Sequence, residues 1–322
     1  MNTYAATLDD IRAAAARIKP YAHRTPIMSC ATISEMAGRD LLFKCEQFQR
    51  IGAFKFRGAC NAVMKLSDTD AKRGVVTHSS GNHAQALALA AKLRGIEAHI
   101  VMPHTASPIK REAVRGYGGI IYDCEPNTEA RETTAAQVQQ RTGATLIHPY
   151  DNADIIAGQG TAALELFEDR PDLDAIIAPI GGGGLISGTA IAASSLHPGI
   201  HIYGAEPLSA DDAARSKAAG QCLPQLAPKT MADGLLTSLG ERTWPVVRDL
   251  VEQIFTVTEE QIVQAMRLVW ERAKLIIEPS SAVAVAAILN EPFRSTSKAQ
   301  RIGVILSGGN VNLDALPWLG RK

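Results

Sequence analysis

Short apolar runs alternate along the chain with segments of helical periodicity. The runs have the length of β-strands and lie at residues 41–45, 74–78, 98–102, 119–123, 175–180, 201–205 and 302–306. Helices are predicted between several of them, at residues 82–93, 111–116 and 128–141. This alternation predicts an α/β fold with one or two doubly wound, mostly parallel sheets, whose ligands gather at the carboxyl ends of the strands.

Four consecutive glycines, here called the tetraglycine loop, separate the predicted strand 175–180 from an apolar, helix-like segment: Gly181, Gly182, Gly183 and Gly184. Ordering them costs about 2–4 kcal/mol, at roughly 0.5–1 kcal/mol each. A strand-to-helix turn without side chains exposes backbone N–H groups beside a helix N-terminus, which suits a phosphate. A flexible linker is the alternative, although apolar runs seldom flank linkers.

Two more glycine-containing turns follow predicted strands, at residues 79–82 and 307–310. Because the carboxyl ends of parallel strands share one edge of a sheet, these turns and the tetraglycine loop could converge on one crevice.

Composition narrows the class of protein. The chain has 322 residues, is 46% hydrophobic and carries no formal net charge, so it can bury a large core and has no bulk field that attracts nucleic acid or anionic membranes. Its five cysteines are dispersed without CxxC spacing, which favours reduced thiols over disulfides or zinc. The N-terminus lacks a signal-peptide pattern, and no apolar run could span a bilayer, so we expect a cytoplasmic protein.

The glycine spacing argues against common nucleotide motifs. A dinucleotide fingerprint beginning at Gly181 or Gly182 would need glycine where Ile186 or Ser187 stands, and a phosphate-binding Walker loop would need lysine where Leu185 stands. A small phosphorylated cofactor fits better, with pyridoxal phosphate (PLP) the leading candidate. PLP requires a lysine that bonds to its aldehyde.

Lys55 meets this requirement. It lies between Phe54 and Phe56 and is flanked by Gly52 and Gly58. Desolvation by the rings would lower the pKa of the amine and help it attack an aldehyde. An ordinary surface lysine at a helix start explains the composition equally well.

Four motifs together resemble the fold type II PLP enzymes: Phe-Lys-Phe-Arg-Gly-Ala at 54–59, Ser-Ser-Gly-Asn-His-Ala-Gln at 79–85, Gly-Gly-Gly-Gly-Leu at 181–185 and Ser-Gly-Gly-Asn at 307–310. The chain is most similar to the serine/threonine dehydratases, in the branch of serine racemase and 3-hydroxyaspartate dehydratase. The resemblance spans about residues 8–313 and implies two doubly wound domains with the cofactor in the cleft between them. Residues 1–50 and 149–322 would form a large domain and 51–148 a small one, in a homodimer.

The resemblance implies a role for each motif at the cofactor. Lys55 would hold PLP covalently and act as a base at the substrate Cα, Phe54 would pack against the pyridine ring, and Asn82 would bond the ring hydroxyl. The tetraglycine loop would bind the phosphate. Ser307 would face the pyridine nitrogen and Glu278 would lie near the ring. A neutral hydroxyl at the nitrogen makes the ring a weaker electron sink, which favours elimination.

The same resemblance places the substrate at residues 79–83, in the second glycine-containing turn and the start of the helix after it. Ser79, Ser80, Asn82 and His83 would hold its carboxylate. Ser80 would be a second acid/base on the face opposite Lys55, which would permit racemisation as well as elimination. The alternative for Ser80 is a turn residue that caps the next helix, and the two roles can coexist.

Two further polar residues match substrate contacts in the family. Arg131 would suit a second carboxylate, as in 3-hydroxyaspartate, although a helix-surface arginine explains it equally well. Thr237 lies where relatives have a polar contact. The segment around Tyr150 is closer to bacterial dehydratases than to animal racemases, so it leaves the substrate preference open.

An acidic loop after the predicted strand 201–205 suggests a divalent cation. Glu206 and Asp212 would be side-chain ligands and Ala210 would offer its carbonyl, a set that suits Mg²⁺, Ca²⁺ or Mn²⁺. Acidic loops of this kind are usually solvated without a bound ion. The resemblance, however, favours a structural or activating ion here.

These residues together predict a PLP-dependent ammonia-lyase. It would convert L-threo-3-hydroxyaspartate to oxaloacetate and ammonia, with accompanying serine racemase and dehydratase activity. The alternatives are an L-threonine or L-serine dehydratase and, in a different class, a non-catalytic PLP-binding protein. The partner would be a small amino-acid substrate, with no nucleic acid and no membrane.

Overall fold

Two β-sheets organise the chain, and the computed structural model describes residues 4–319. The strands, in chain order, are β1 (Ile27–Met28), β2 (Asp40–Cys45), β3 (Val75–His78), β4 (Ala98–Pro103), β5 (Ile120–Cys124), β6 (Thr145–Leu146), β7 (Ala175–Pro179), β8 (His201–Pro207), β9 (Gln253–Val257) and β10 (Arg301–Leu306). A six-stranded sheet has the order β1-β2-β10-β7-β8-β9, and a four-stranded sheet has the order β5-β4-β3-β6. Every pairing is parallel except the one between β1 and β2.

Helices cover both sheets. They are α1 (Leu8–Ile18), α2 (Ala31–Ala37), α3 (Lys55–Lys65), α4 (Asp68–Ala71), α5 (Asn82–Arg94), α6 (Pro108–Gly116), α7 (Thr128–Thr142), α8 (Ala153–Asp169), α9 (Gly184–Leu196), α10 (Asp212–Ala219), α11 (Trp244–Leu250), α12 (Glu259–Leu268), α13 (Pro279–Leu289) and α14 (Glu291–Thr296). Short 3₁₀ turns lie at Glu46–Phe48, Arg50–Gly52, Asp233–Leu235 and Leu313–Ala315, and a π-helical turn lies at Val269–Ala273.

The large sheet is buried on both faces, as parallel strands between helices require. Alternate residues of β2 belong to different cores: Leu41 and Phe43 pack on the α13 side, whereas Leu42 packs on the side of α8 and α9. The smaller sheet shares a third core with α3 and α5. These layers confirm the α/β class with two mostly parallel sheets.

The predicted strands and helices are confirmed, with ends that move by a few residues. The helix predicted at 111–116 begins earlier, at Pro108, where proline fits the first turn and Ser107 caps the helix. Strands β1, β6 and β9, which were not predicted from the sequence, lie at sheet edges. No helix within residues 4–319 is long and apolar enough to cross a membrane.

The two sheets fall on either side of the predicted domain boundaries. All four strands of the smaller sheet lie between residues 75 and 146, and the six strands of the larger sheet lie outside 51–148. Helix α3, however, packs against α5 as well as α8. The division at residues 51 and 148 stays a prediction.

Candidate active site

Lys55 is the first residue of α3 and lies where several chain segments meet. Its side chain is partly buried, and its Nζ donates a hydrogen bond to the carbonyl of Pro149 at 3.1 Å. Burial lowers the pKa of the amine to about 8, against the opposing attraction of Glu278. The Phe54 ring lies 5.2 Å from the amine. Both the burial and the lowered pKa favour a nucleophilic amine over an ordinary surface lysine, and the role of Lys55 stays a prediction.

The tetraglycine loop connects β7 to α9, as the pattern predicted. Gly183 has φ of 86° and precedes the first helical residue, Gly184. A Cβ on Gly182 would overlap the Tyr150 ring, and one on Gly184 would lie 3.0 Å from the Tyr150 Cβ. Side chains are therefore excluded where the ring packs.

The backbone of this loop is free to bind an anion. Within the described chain, the N–H groups of residues 181–184 donate no hydrogen bond, and they lie at the N-terminus of α9. This donor set, together with the partly buried amine of Lys55, fits a phosphorylated aldehyde such as PLP.

Glu278 joins the other two turns. It lies at the N-cap of α13, where its carboxylate accepts hydrogen bonds from Asn82 Nδ2 at 2.9 and 3.2 Å and from the Asn310 backbone at 3.1 Å. The side-chain Nδ2 of Asn310 also donates a hydrogen bond to Asn82 Oδ1 at 2.9 Å. Burial, and then the charge of Asp233, raises the pKa of Glu278 to about 7. The structure thus brings the 79–82 and 307–310 turns together.

Ser307 follows β10 and is buried beside the lysine segment. Its carbonyl accepts a hydrogen bond from the Phe54 backbone at 3.0 Å, and Gly308 pairs with Ala53 in an antiparallel bridge. Lys55 is therefore attached to the end of β10 through its two preceding residues.

Two histidines, His83 and His148, lie near enough to the lysine for its charge to act on them, and His78 packs against the second. His83 lies in the first turn of α5, with Nε2 3.3 Å from the Ile147 carbonyl, and burial holds its pKa well below the usual range. His148 packs edge-on against His78 at 5.5 Å and against Tyr150 at 4.6 Å between ring centroids. Burial lowers the pKa of His148 to about 4 and also lowers that of His78. In all three rings burial favours the neutral form.

Ser79 and Ser80 precede α5, but neither caps it. The N-cap is Gly81, which has no side chain, and Ser79 Oγ accepts a hydrogen bond from its N–H at 3.3 Å. The capping alternative for Ser80 is therefore wrong. Ser80 is partly buried, and its acid/base role stays a prediction.

Arg131 and Thr237 make different kinds of contact. Arg131 is on α7, with its buried Nε unpaired, and its charge acts on His78, which packs against His148. Thr237 is exposed and shares a side-chain hydrogen bond with Tyr150. Neither substrate role is tested by these contacts.

The predicted metal ligands lie at the end of β8 and just beyond it: Glu206 is near the last residue of the strand, and Ala210 and Asp212 follow it. Glu206 is buried and accepts hydrogen bonds from the backbone N–H groups of Ala213 and Ala214 at 3.2 and 2.9 Å. Burial raises the pKa of Glu206 well above its usual value. Asp212 is also buried, and its negative charge raises the pKa of Glu206 further. A cation would relieve this repulsion.

The acidic pair is nevertheless a sparse ligand set. Between residues 4 and 319 there is no group of three His, Cys, Asp or Glu side chains suited to a metal. The predicted set has two carboxylates and the Ala210 carbonyl, so a divalent ion stays a proposal.

Several residues that build the site were not predicted from the sequence. They include the Pro149 carbonyl, which accepts from Lys55, the Tyr150 ring, which packs on the tetraglycine loop, and His148. These residues follow β6, which is only two residues long and gives no periodic signal. The partners of Arg57, which is fully buried among ionised side chains, were also missed.

The fold and the site together define an α/β enzyme class built around a phosphorylated aldehyde cofactor. The model of the pyridoxal-phosphate dependent enzyme family matches residues 18–308. The chain belongs to this family, as the four sequence motifs predicted.

Similar proteins indicate to which branch of the family the chain is most similar. A beta-hydroxyaspartate dehydratase of Paracoccus denitrificans is 52% identical over 315 residues, covering 98% of this chain and 99% of the relative. The structure of maize serine racemase matches with a TM-score of 0.95 and 53% identity, covering 97% of this chain and 95% of that one. The structure of a threonine deaminase from T.th. matches with a TM-score of 0.89 and 42% identity, covering 95% of this chain and 99% of that one. The resemblance to the racemase and dehydratase branch is confirmed.

Proposed function

We propose that the protein is a PLP-dependent ammonia-lyase that dehydrates a small β-hydroxy amino acid. The observation that carries this proposal is the partly buried amine of Lys55, with a pKa of about 8, in one cluster with the tetraglycine loop. An unpaired set of backbone donors and a nucleophilic amine are what a phosphorylated aldehyde requires. The reaction would yield an oxo acid and ammonia.

Different residues of the chain would bind the cofactor and transfer the protons. The loop N–H groups would hold the phosphate, and Glu278 with Asn82 would orient the ring edge. PLP, when bound, supplies the electron withdrawal that acidifies the α-proton of the substrate. Lys55 Nζ would accept that proton, because a lowered pKa leaves part of the amine uncharged near neutral pH. Ser80 would donate or accept a proton on the opposite face.

We favour L-threo-3-hydroxyaspartate as the substrate, with serine racemisation and dehydration as accompanying activities. Arg131 supports a substrate with a second carboxylate, because its Nε is buried without a partner and a carboxylate pairs well with guanidinium. The relative named beta-hydroxyaspartate dehydratase supports the same preference. Ser79, Asn82, His83 and Thr237 would contact the rest of the substrate.

Threonine or serine dehydration is the second candidate. It is favoured by the likeness to a threonine deaminase at 42% identity. We further propose a homodimer and an activating divalent ion held by Glu206, Asp212 and the Ala210 carbonyl. A cytoplasmic location also stays a proposal.

A substrate panel tests the proposal. Holoenzyme would be given threo- and erythro-3-hydroxyaspartate, both serine enantiomers and L-threonine, with ammonia and the oxo acid measured. We expect the highest kcat/KM with L-threo-3-hydroxyaspartate, and Arg131→Ala should lower it for this substrate far more than for L-serine. Higher kcat/KM for L-threonine would overturn the substrate preference. Retention of turnover by Lys55→Ala would overturn the role of the lysine.

A further inference from the structure

A buried cluster of acidic and basic side chains, joined by hydrogen bonds, lies behind the lysine segment. We call Lys44, Glu46, Arg57 and Glu165 the Arg57 cluster. Arg57 donates to Glu46 through Nε at 2.7 Å and Nη2 at 2.9 Å, and to Glu165 through Nη1 and Nη2, both at 2.8 Å. Lys44 Nζ donates to Glu165 at 2.6 Å. The cluster holds two positive and two negative groups.

The cluster is almost completely removed from water. The side chains of Lys44, Glu46 and Arg57 have 0% exposure, and that of Glu165 has 15%. Such a buried cluster is seldom more stabilising than apolar packing of the same volume. Stability alone therefore does not explain why four ionised groups are placed here.

The position of the cluster supplies a reason. Arg57 is the third residue of α3, two residues after Lys55. Its partners come from the 3₁₀ turn after β2, from α8 and from the segment before β1, where it donates to Thr25 and to the His23 carbonyl. The start of α3 has no side-chain cap, since Phe54 occupies the N-cap position. Other anchors near this end are the backbone bonds at residues 53 and 54 and the hydrogen bond from the Gly58 N–H to Gln159 at 3.2 Å.

We propose that Arg57 is a positioning residue that fixes the first turn of α3, and with it the amine of Lys55, through a planar guanidinium fork held by two carboxylates. Guanidinium bonded on two edges has one orientation, whereas an ammonium is a point charge on a flexible stem. This inference rests on the proposed role of Lys55 as the cofactor-bearing lysine. Arg57 touches neither cofactor nor substrate and acts only through the helix.

Two variants separate positioning from charge. Arg57→Lys keeps the positive charge but cannot reach both carboxylates with parallel bonds. The double variant Arg57→Met with Glu46→Gln removes one charge of each sign, so that Lys44 and Glu165 remain paired. It avoids an uncompensated buried carboxylate, which could prevent folding.

Arg94→Lys is the matched control. Arg94 is a largely buried arginine, with a side-chain exposure of 16%, that donates to the carbonyls of Val63 and Leu66 at the other end of α3. Its replacement loosens the same helix at a point about three turns from Lys55. Any effect of general helix destabilisation is therefore shared by control and test variants.

Three readouts are compared on purified protein. They are the thermal midpoint of the apoprotein, the rate at which the apoprotein forms the visible band with added PLP, and kcat and KM of the holoenzyme. We expect both Arg57 variants to slow band formation and to lower kcat by about 10- to 100-fold, with KM changed less than about threefold. Arg94→Lys should lower the thermal midpoint while changing band formation and kcat by less than about twofold.

Loss of thermal stability without a change in band formation or kcat, in parallel with Arg94→Lys, would show that the Arg57 cluster is only structural and would overturn the inference. Borohydride reduction of wild-type holoenzyme followed by peptide mass spectrometry tests the premise separately. A cofactor adduct on a lysine other than Lys55 would overturn the proposed function itself, whatever the Arg57 variants do.

Discussion

Gly182→Ala is the substitution at the candidate site whose effect the structure defines best. The new Cβ would lie under 3.0 Å from Cγ, Cδ1 and Cδ2 of Tyr150, a separation that real Cβ atoms essentially never show. Ordinary van der Waals contact begins at 3.4 Å. The ring must therefore retreat by about 1 Å, and overpacking of this kind costs about 1–3 kcal/mol.

The displaced ring affects more than packing. Tyr150 is bonded to Pro149, whose carbonyl accepts the hydrogen bond from Lys55 Nζ. Movement of the ring is thus transmitted to the amine as well as to the tetraglycine loop. If the whole cost falls on cofactor binding, about 1–3 kcal/mol weakens PLP affinity by roughly 5- to 150-fold.

The assay is a titration of apoprotein with PLP, followed by the visible band, together with the thermal midpoint. Gly116→Ala is the control, because a Cβ there meets nothing within 4 Å and the residue ends α6. It should leave PLP affinity unchanged. Tyr150→Ala removes the obstacle, so the effect of Gly182→Ala should be much smaller in that background. Wild-type affinity of Gly182→Ala, or equal effects in both backgrounds, would refute the steric argument.

Three other expectations concern protonation and metal. Ser80→Ala should reduce serine racemisation far more than dehydration, measured on one preparation; equal losses would reduce Ser80 to a loop residue. Chelator should lower the thermal midpoint and activity, and Mg²⁺ should restore both, because a cation relieves the repulsion between Glu206 and Asp212; no change on chelation would remove the ion. The pKa of Glu278 is raised from 4.5 to about 7, so the folded apoprotein holds its proton longer than the unfolded chain. Its contribution to stability is lost as pH rises from about 4.5 to 7, and denaturant titrations of Glu278→Gln should show a flatter profile over that range.

Local pattern was sufficient to predict the elements around the proposed cofactor site. Sequence pattern alone predicted the strand 175–180, the glycines after it and the apolar helix that follows. A buried parallel strand is continuously apolar, and glycines mark the turn. The structure ends the strand at Pro179 and begins the helix at Gly184. The prediction of an anion site in this turn needed no knowledge of the rest of the fold.

Contacts between segments that are distant in the sequence could not be predicted from local pattern. Asn82, Glu278 and Asn310 meet across 196 and 228 residues of sequence. Nothing in the local composition of any one turn specifies such a meeting. Resemblance to a family placed Asn82 and Glu278 near the cofactor, but it did not indicate that they bond to each other. Edge strands such as β6 were missed for a related reason, since two residues cannot show a period.

The distribution of charge explains why the lysine can serve as a nucleophile. Burial lowers the pKa values of His83 and His148 near it, and the only opposite charge that acts on it within residues 4–319 is Glu278, whose own pKa is raised to about 7. A fully ionised carboxylate beside the amine would return the pKa of Lys55 toward its usual value and keep the amine protonated. Fixed charges are instead concentrated behind the helix, in the Arg57 cluster, where they hold α3 without pairing with the amine. The same buried surroundings thus leave Lys55 free to react and fix the helix that carries it.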